Sequence, residues 1–145
     1  MEAVHGRGFV HRDLKPSNVV VKIDGSVAIC DFGSAVEASK GEEYELEGFT
    51  RWYKCPEMLY GERRYKYEAD IWSVGCILME VATGQPLFNG KSEIEMLAMI
   101  ANFIGDPSPE NWPSVANKPD FNKIKFKPMK PKTPEEVAQE WGVSV

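Results

Sequence analysis

The chain has 145 residues, with 17 Lys and Arg against 22 Asp and Glu, giving a formal net charge of −5. That length carries one domain with a core, and the acidic balance argues against nucleic-acid binding, which wants a basic face, and against an anionic membrane surface. Cys30, Cys55 and Cys76 are odd in number and scattered; they suggest neither a disulfide framework nor a zinc site and read as reduced thiols of an intracellular protein.

The N-terminus, Met1-Glu2-Ala3-Val4-His5, lacks the basic and apolar regions of a signal peptide. Two β-branched runs, 19–23 and 26–30, flank Asp24-Gly25, which predicts a hairpin with a two-residue I′ turn. Residues 34–48 are polar, acidic and Gly-containing, and predict a mobile surface loop. The segment from Asp70 to Thr83 is apolar almost all round and stops before Gly84, which predicts a core helix. Its apolar run from Ile71 to Ala82 contains Glu80 and is too short for a bilayer, which needs about 20 residues.

A second helix is predicted from the capping-box pattern Ser92-Glu93-Ile94-Glu95. Its apolar stripe is Ile94, Leu97, Ala98, Ala101 and Ile104, and Gly105 stops it. Prolines recur from Asp106 to Pro134 and predict an extended loop. Thr133-Pro134-Glu135-Glu136 opens one more helix. A chain that ends just after opening a helix suggests truncation there.

The chemistry concentrates near the N-terminus. His11-Arg12-Asp13-Leu14-Lys15-Pro16-Ser17-Asn18 is followed by Asp31-Phe32-Gly33. Across a two-residue turn at 24 and 25, residue 18 pairs with residue 31. Asn18 and Asp31 then sit opposite each other at the open end of the hairpin, about 4.5–5.5 Å apart at Cβ. An amide oxygen and a carboxylate are hard ligands that suit Mg²⁺. The alternative is that they cap the ends of two strands.

These two motifs resemble the catalytic loop and metal-binding motif of eukaryotic protein kinases. The resemblance extends along nearly the whole chain. Thr50-Arg51-Trp52-Tyr53-Lys54-Cys55-Pro56-Glu57 is similar to the end of an activation segment, and Asp70 to Cys76 to the central helix of the kinase C-terminal lobe. Pro86-Leu87-Phe88 and the stretch from Gly105 to Pro113 resemble the cyclin-dependent and mitogen-activated kinase group. The run from Pro119 to Lys127 is most like the cell-cycle-related kinase branch.

The resemblance implies a fold class and a domain organisation. The fold would be mainly α with a small β-hairpin, the C-terminal lobe half of the α+β kinase fold. Residues 1–145 would form a partial kinase domain, without the N-terminal lobe and without the end of the C-terminal lobe. It also implies ATP and Mg²⁺ as cofactors, a protein substrate, a cyclin-like activator of the full-length kinase, and a cytoplasmic or nuclear location, with no nucleic-acid or membrane partner.

Residue roles follow from the same resemblance. Asp13 would accept the proton of an attacking Ser or Thr hydroxyl. Lys15 would neutralise charge on the transferred phosphoryl group, and Thr50 would hydrogen-bond to both. Asn18 and Asp31 would hold the metal, and Val20 would floor the adenine unless it simply packs in the core. His11, Arg12, Phe32, Gly33, Glu45, Glu57 and Asp70 would be structural or regulatory, Asp70 tying the central helix to the catalytic-loop backbone. Glu57 lacks its usual arginine partner.

The activation loop departs from the family. Glu45 and Glu47 stand where relatives carry phosphorylatable residues, and Val36 where relatives carry a phosphate-gripping arginine. Arg12 is then the cation expected to meet the Glu45 carboxylate. Two functions are compatible with all this. One is ATP-dependent phosphoryl transfer to protein Ser/Thr hydroxyls by the parent kinase. The other is a catalytically inactive truncated lobe that serves as a protein-interaction module.

Overall fold

The computed structural model describes residues 1–38 and 43–142. Among the described residues five α-helices are formed: α1 (Glu2–His5), α2 (Pro56–Leu59), α3 (Tyr67–Thr83), α4 (Glu93–Ile104) and α5 (Pro134–Trp141). Four short strands accompany them: β1 (Phe9–Val10), β2 (Val19–Val21), β3 (Val27–Ile29) and β4 (Val36–Glu37).

The expectation of a mainly α chain with one hairpin is corrected. Helix, including the short 3-10 turns, takes up 43% of the structure, which is less than half. Among the described residues there are two antiparallel ladders, β2–β3 and a separate β1–β4. The second pairs Phe9 with Glu37 and Val10 with Val36, which draws part of the expected acidic loop into a sheet. Val10 is fully buried there, and its half-buried partner Val36 packs against the second core cluster, which holds the pair in register despite the polar composition that reads as loop. Residues 39–42 of that expected loop lie outside the described residues.

The hairpin register is also corrected. Val19 pairs with Ile29, Val20 with Ala28 and Val21 with Val27. Lys22 N donates to Ser26 O at 2.8 Å, so the loop has three residues, Ile23-Asp24-Gly25. Asp24 Oδ1 accepts from Ser26 N (2.9 Å) and from Ser26 Oγ (2.7 Å), and Gly25 sits at φ 80°. A three-residue loop closed by a left-handed residue is the alternative to the two-residue turn that the same Asp-Gly pair allows. The shift of one residue matters, because a strand's side chains alternate between faces.

The helices build the core. Along α4, Met96, Leu97, Ile100 and Ala101 are buried, while Ile94 and Ile104 are exposed, so the buried stripe is rotated from the expected one. Ser92 Oγ accepts from Glu95 N at 3.1 Å, as a helix cap does. α3 ends at Gly84, whose φ of 76° a side chain would strain. α3 is not buried all round: Ala69, Asp70, Ser73, Cys76 and Ile77 face inward, but Ile71, Leu78 and Val81 are exposed. Its inner face meets Leu14, Tyr53, Phe88 and α4 in the larger core cluster. A second cluster, formed by Tyr44, Cys55, Met58, Tyr65 and Ala69, lies beneath the loop that leads to Thr50.

Candidate active site

Residues 11–18 run between β1 and β2, and residues 30–34 follow β3, so the two ladders bring the two sequence motifs side by side. Asp70 organises the first. Its carboxylate accepts from His11 N at 2.8 Å and from Arg12 N at 2.9 Å, and it also meets His5 Nε2 at 2.8 Å. Asp70 is 1% exposed. Arg12 has φ 71°, a left-handed conformation that costs a side-chain-bearing residue about 1–2 kcal/mol. Two charge-assisted hydrogen bonds to its own and the preceding amide hold it there.

His11 is fully buried, with Nε2 3.0 Å from Cys30 O and Nδ1 accepting from Asp13 N at 3.3 Å. This ties the catalytic-loop candidate to the strand end that carries Asp31. The ring of Phe32 stands edge-on to that of His11, with centroids 4.9 Å apart.

Asp13 is the centre of the arrangement. Lys15 Nζ donates to Asp13 Oδ2 at 2.6 Å. Thr50 donates to Asp13 Oδ1 twice, from N at 3.0 Å and from Oγ1 at 2.7 Å. Burial works to raise the Asp13 pKa, but the hydrogen bonds from Lys15 and Thr50 outweigh it and hold the carboxyl below the usual range. Asp13 is therefore a carboxylate at neutral pH. Residues 37 positions apart meet here because the 3-10 turn at Arg51–Tyr53 is packed against α3, where Ser73 Oγ donates to Tyr53 O at 2.7 Å.

The shifted register changes the expected metal pair. Asn18 faces Cys30, whose N donates to Asn18 O at 3.0 Å, so Asp31 is not its direct cross-strand partner. Asp31 lies one residue beyond, at φ 62°, with Oδ1 accepting from Gly33 N at 3.4 Å. Asn18 is buried, and its Nδ2 donates to Asp13 O at 2.9 Å. That bond engages the amide nitrogen, and among the described residues the amide oxygen accepts no hydrogen bond; Asp31 is exposed at the same end of the hairpin. An amide oxygen and a carboxylate at one hairpin end are a donor set that fits Mg²⁺. Val20 is 45% exposed on β2, so it is not packed in the core.

Arg12 and Glu45 do not pair as expected. The Glu45 carboxylate meets Arg63, at 3.3 Å between Oε2 and Nη2. Arg12 donates instead to Ser34 O (2.6 Å) and to Tyr65 Oη (3.2 Å), and its Nη1 lies 3.5 Å from Glu45 O. Tyr65 Oη in turn donates to Glu45 O at 3.0 Å. Glu57 is half-buried and lines a cavity of about 510 Å³ with Tyr60 and Trp72. His5 and Tyr65 were not among the residues singled out from the sequence. Each touches a residue more than 50 positions away, and nothing in the local sequence marks such a partner.

The sequence matches the protein kinase domain over residues 1–136. The chain belongs to the protein kinase family, in its cyclin-dependent kinase group. It is 46% identical over 135 residues to cyclin-dependent kinase 20 of Homo sapiens, a match that covers 92% of this chain and 39% of that protein. With cyclin-dependent kinase 7 of Caenorhabditis elegans it shares 41% identity over 126 residues, covering 86% of this chain and 38% of that one. Among solved structures, the yeast RNA Pol II CTD kinase CTDK-1 complex superposes with a TM-score of 0.90 at 30% identity, covering 99% of this chain and 48% of that chain. The CAK complex of Chaetomium thermophilum bound to ATP-gamma-S gives 0.86 at 34% identity, covering 96% and 43%. The chain thus spans about 39% of the length of the curated relatives it matches.

Proposed function

We propose that this chain carries the phosphoryl-transfer residues of an ATP-dependent protein Ser/Thr kinase. It forms one side of a nucleotide site within a partial kinase domain. The supporting observation is the Asp13 carboxylate, held ionised between Lys15 and Thr50. Family membership supports the reaction class.

Asp13 accepts the proton of the substrate hydroxyl, since its low pKa keeps it in the basic form. Thr50 orients the carboxylate through two hydrogen bonds to Oδ1. Lys15, 2.6 Å from Asp13, places a cation where the transferred group gains charge. Asn18 and Asp31 would hold Mg²⁺, and Val20, exposed on β2, would meet the adenine. Mg-ATP, when bound, supplies the phosphoryl group and a metal to neutralise it. The two solved relatives are described as complexes, which supports a cyclin-like activator. Three free cysteines suit a reducing, cytoplasmic or nuclear setting. Among the described residues no helix is long and apolar enough to cross a membrane.

The test is phosphate transfer by a full-length kinase carrying this segment, offered peptides that differ only in a Ser, Thr or Tyr acceptor. Asp13→Asn should lower kcat about 10²–10⁴-fold with folding retained. Equal use of Tyr, or full activity in the variant, would refute the proposal.

A further inference from the structure

The segment 118–132 stands apart from the rest of the chain in charge. It holds six lysines and one acid, Asp120, in a protein whose formal charge is −5, so the remainder is more acidic still. From Ile124 to Thr133 it forms neither helix nor ladder. Lys123, Lys125, Lys127 and Lys130 are exposed, while Ile124, Phe126 and Met129 between them are half-buried. Ile124 and Phe126 pack against the core. From Lys123 to Lys127 lysines and apolar residues therefore alternate between an outer and an inner face, as they do along an extended strand; exposed Pro128 ends the alternation, and Lys130 follows as a further exposed cation.

Three of these cations are uncommitted. Lys118 pairs with Glu62, Lys123 with Asp120 and Lys132 with Glu140. Among the described residues Lys125, Lys127 and Lys130 have no ion-pair partner. The strip is also fixed in place. Met129 O accepts from Asp106 N and Lys132 N donates to Phe103 O, each at 3.0 Å, which fastens it to the end of α4. Lys125 and Lys127 exchange no backbone–backbone hydrogen bond with the described residues, so their peptide groups remain available.

We infer that residues 123–127 are a docking edge for an extended acidic peptide of a partner protein, with Asp or Glu at alternate positions opposite Lys125 and Lys127 and with Lys130 adding a cation at its end. Alternate side chains of an extended segment recur about every 7 Å on one face. A peptide strand added alongside would share that period and set its carboxylates opposite the lysines while pairing its backbone with the free peptide groups. Single-stranded nucleic acid fits less well. Its binding relies on exposed aromatic platforms, and Phe126 and Phe121 are turned into the core. This inference does not depend on the proposed catalytic function.

The experiment titrates the 145-residue chain with three fluorescent probes: a (Glu-Thr)₄ peptide, a peptide of the same composition with its glutamates in one block, and oligo-dT. The alternating peptide should bind about fivefold or more tighter than the blocked one. The triple variant K125Q/K127Q/K130Q should lose about tenfold or more of that affinity, a size that three weak exposed ion pairs supply together. These residues are exposed, so the variant should fold. Acetylation footprinting of the unmodified chain gives an independent reading, with Lys125, Lys127 and Lys130 protected by the alternating peptide. The inference is overturned by absence of binding, by equal binding of the blocked peptide, by an unaffected variant, by unprotected lysines, or by tighter lysine-dependent binding of oligo-dT.

Discussion

Arg12 reaches the phenol of Tyr65, 3.2 Å away, and not the carboxylate of Glu45. The two share Glu45 O as acceptor, so the loop before Thr50 is gripped by its backbone. Phe49 adds to the grip, with its ring 5.4 Å from the Arg12 guanidinium carbon and 5.7 Å from the Tyr65 ring. Arg12 thus has a neutral phenol and a backbone carbonyl as its partners on this loop, with no side-chain carboxylate among them.

This arrangement predicts that loop order does not depend on a charge at position 45. Glu45 and Arg63 are both largely exposed, and such pairs contribute about 0–1 kcal/mol. Glu45→Gln should shift stability by less than about 0.5 kcal/mol and leave proteolysis of the loop unchanged. Tyr65→Phe should cost about 1 kcal/mol, the scale of a lost partly buried hydrogen bond, and speed cleavage before Thr50. In a full-length kinase, phosphatase treatment should leave activity intact. The reverse order of the two variants would show that the carboxylate is the anchor.

Acid should weaken the fold through Asp13. Its folded pKa is depressed, because the hydrogen bonds from Lys15 and Thr50 outweigh the effect of burial. A depressed carboxyl stabilises the fold fully above its unfolded value, near pH 4. That contribution is lost as pH falls through the lower folded value. Urea midpoints measured from pH 6 to pH 2 should fall less steeply for Asp13→Asn than for the unchanged chain. Parallel curves would remove Asp13 from the account.

The thiols should separate by burial. Cys30 is half-buried, whereas Cys55 and Cys76 are 1% and 3% exposed. Burial pushes the Cys76 thiol up to about 12 and Cys55 higher still. The thiolate is the species that reacts, so brief alkylation at pH 8 followed by mass spectrometry should label Cys30 first. Labelling of Cys76 at an equal rate would contradict this.

Much of the site could be read in the sequence because its residues lie close together along the chain. His11 to Asn18 and Asp31 to Gly33 are two local motifs joined by one hairpin, and the caps at Ser92 and Thr133 are equally local. What escaped depended on tertiary context. An Asp-Gly pair is compatible with two-residue and three-residue loops, and the Asp24–Ser26 hydrogen bonds go with the latter. The β1–β4 ladder joins residues nearly 30 positions apart, one side of it in a stretch that reads as polar loop. The pairing of Arg12 with Tyr65 spans 53 positions and depends on how the second core cluster packs.

Substrate choice should follow from the loop as well. The Lys54 ammonium is committed to Glu93 Oε1 at 2.7 Å. Phe49 is held between Arg12 and Tyr65. The resemblance to kinases that require proline after the target residue implies a small residue and an arginine at these two positions, where this chain has Phe49 and Lys54. A full-length kinase carrying this segment should therefore prefer a following proline by less than about tenfold in kcat/KM, or about 1.4 kcal/mol. Matched peptides with proline or alanine after the acceptor measure it, and an absolute proline requirement would end the idea.

The Lys54–Glu93 pair should respond unequally to loss of its two members. The Lys54 side chain is 7% exposed, while that of Glu93 is 52% exposed. Glu93→Gln strands an ammonium that has already been taken out of water. Breaking a fully buried pair costs about 3–5 kcal/mol. Because Glu93 itself stays half in solvent, its loss should cost less than that, about 2 kcal/mol. Lys54→Met removes the buried charge and leaves a carboxylate that water can solvate, and the methionine fills the space left by the lysine stem. Its cost should be below about 1 kcal/mol. Urea unfolding at pH 7 should give a lower midpoint for Glu93→Gln than for Lys54→Met, with equal m-values. Equal midpoints would mean that the pair behaves as an ordinary surface contact, and that the segment after Thr50 is held by other bonds, such as that from Arg51 Nη1 to Lys91 O, just before α4, at 2.8 Å.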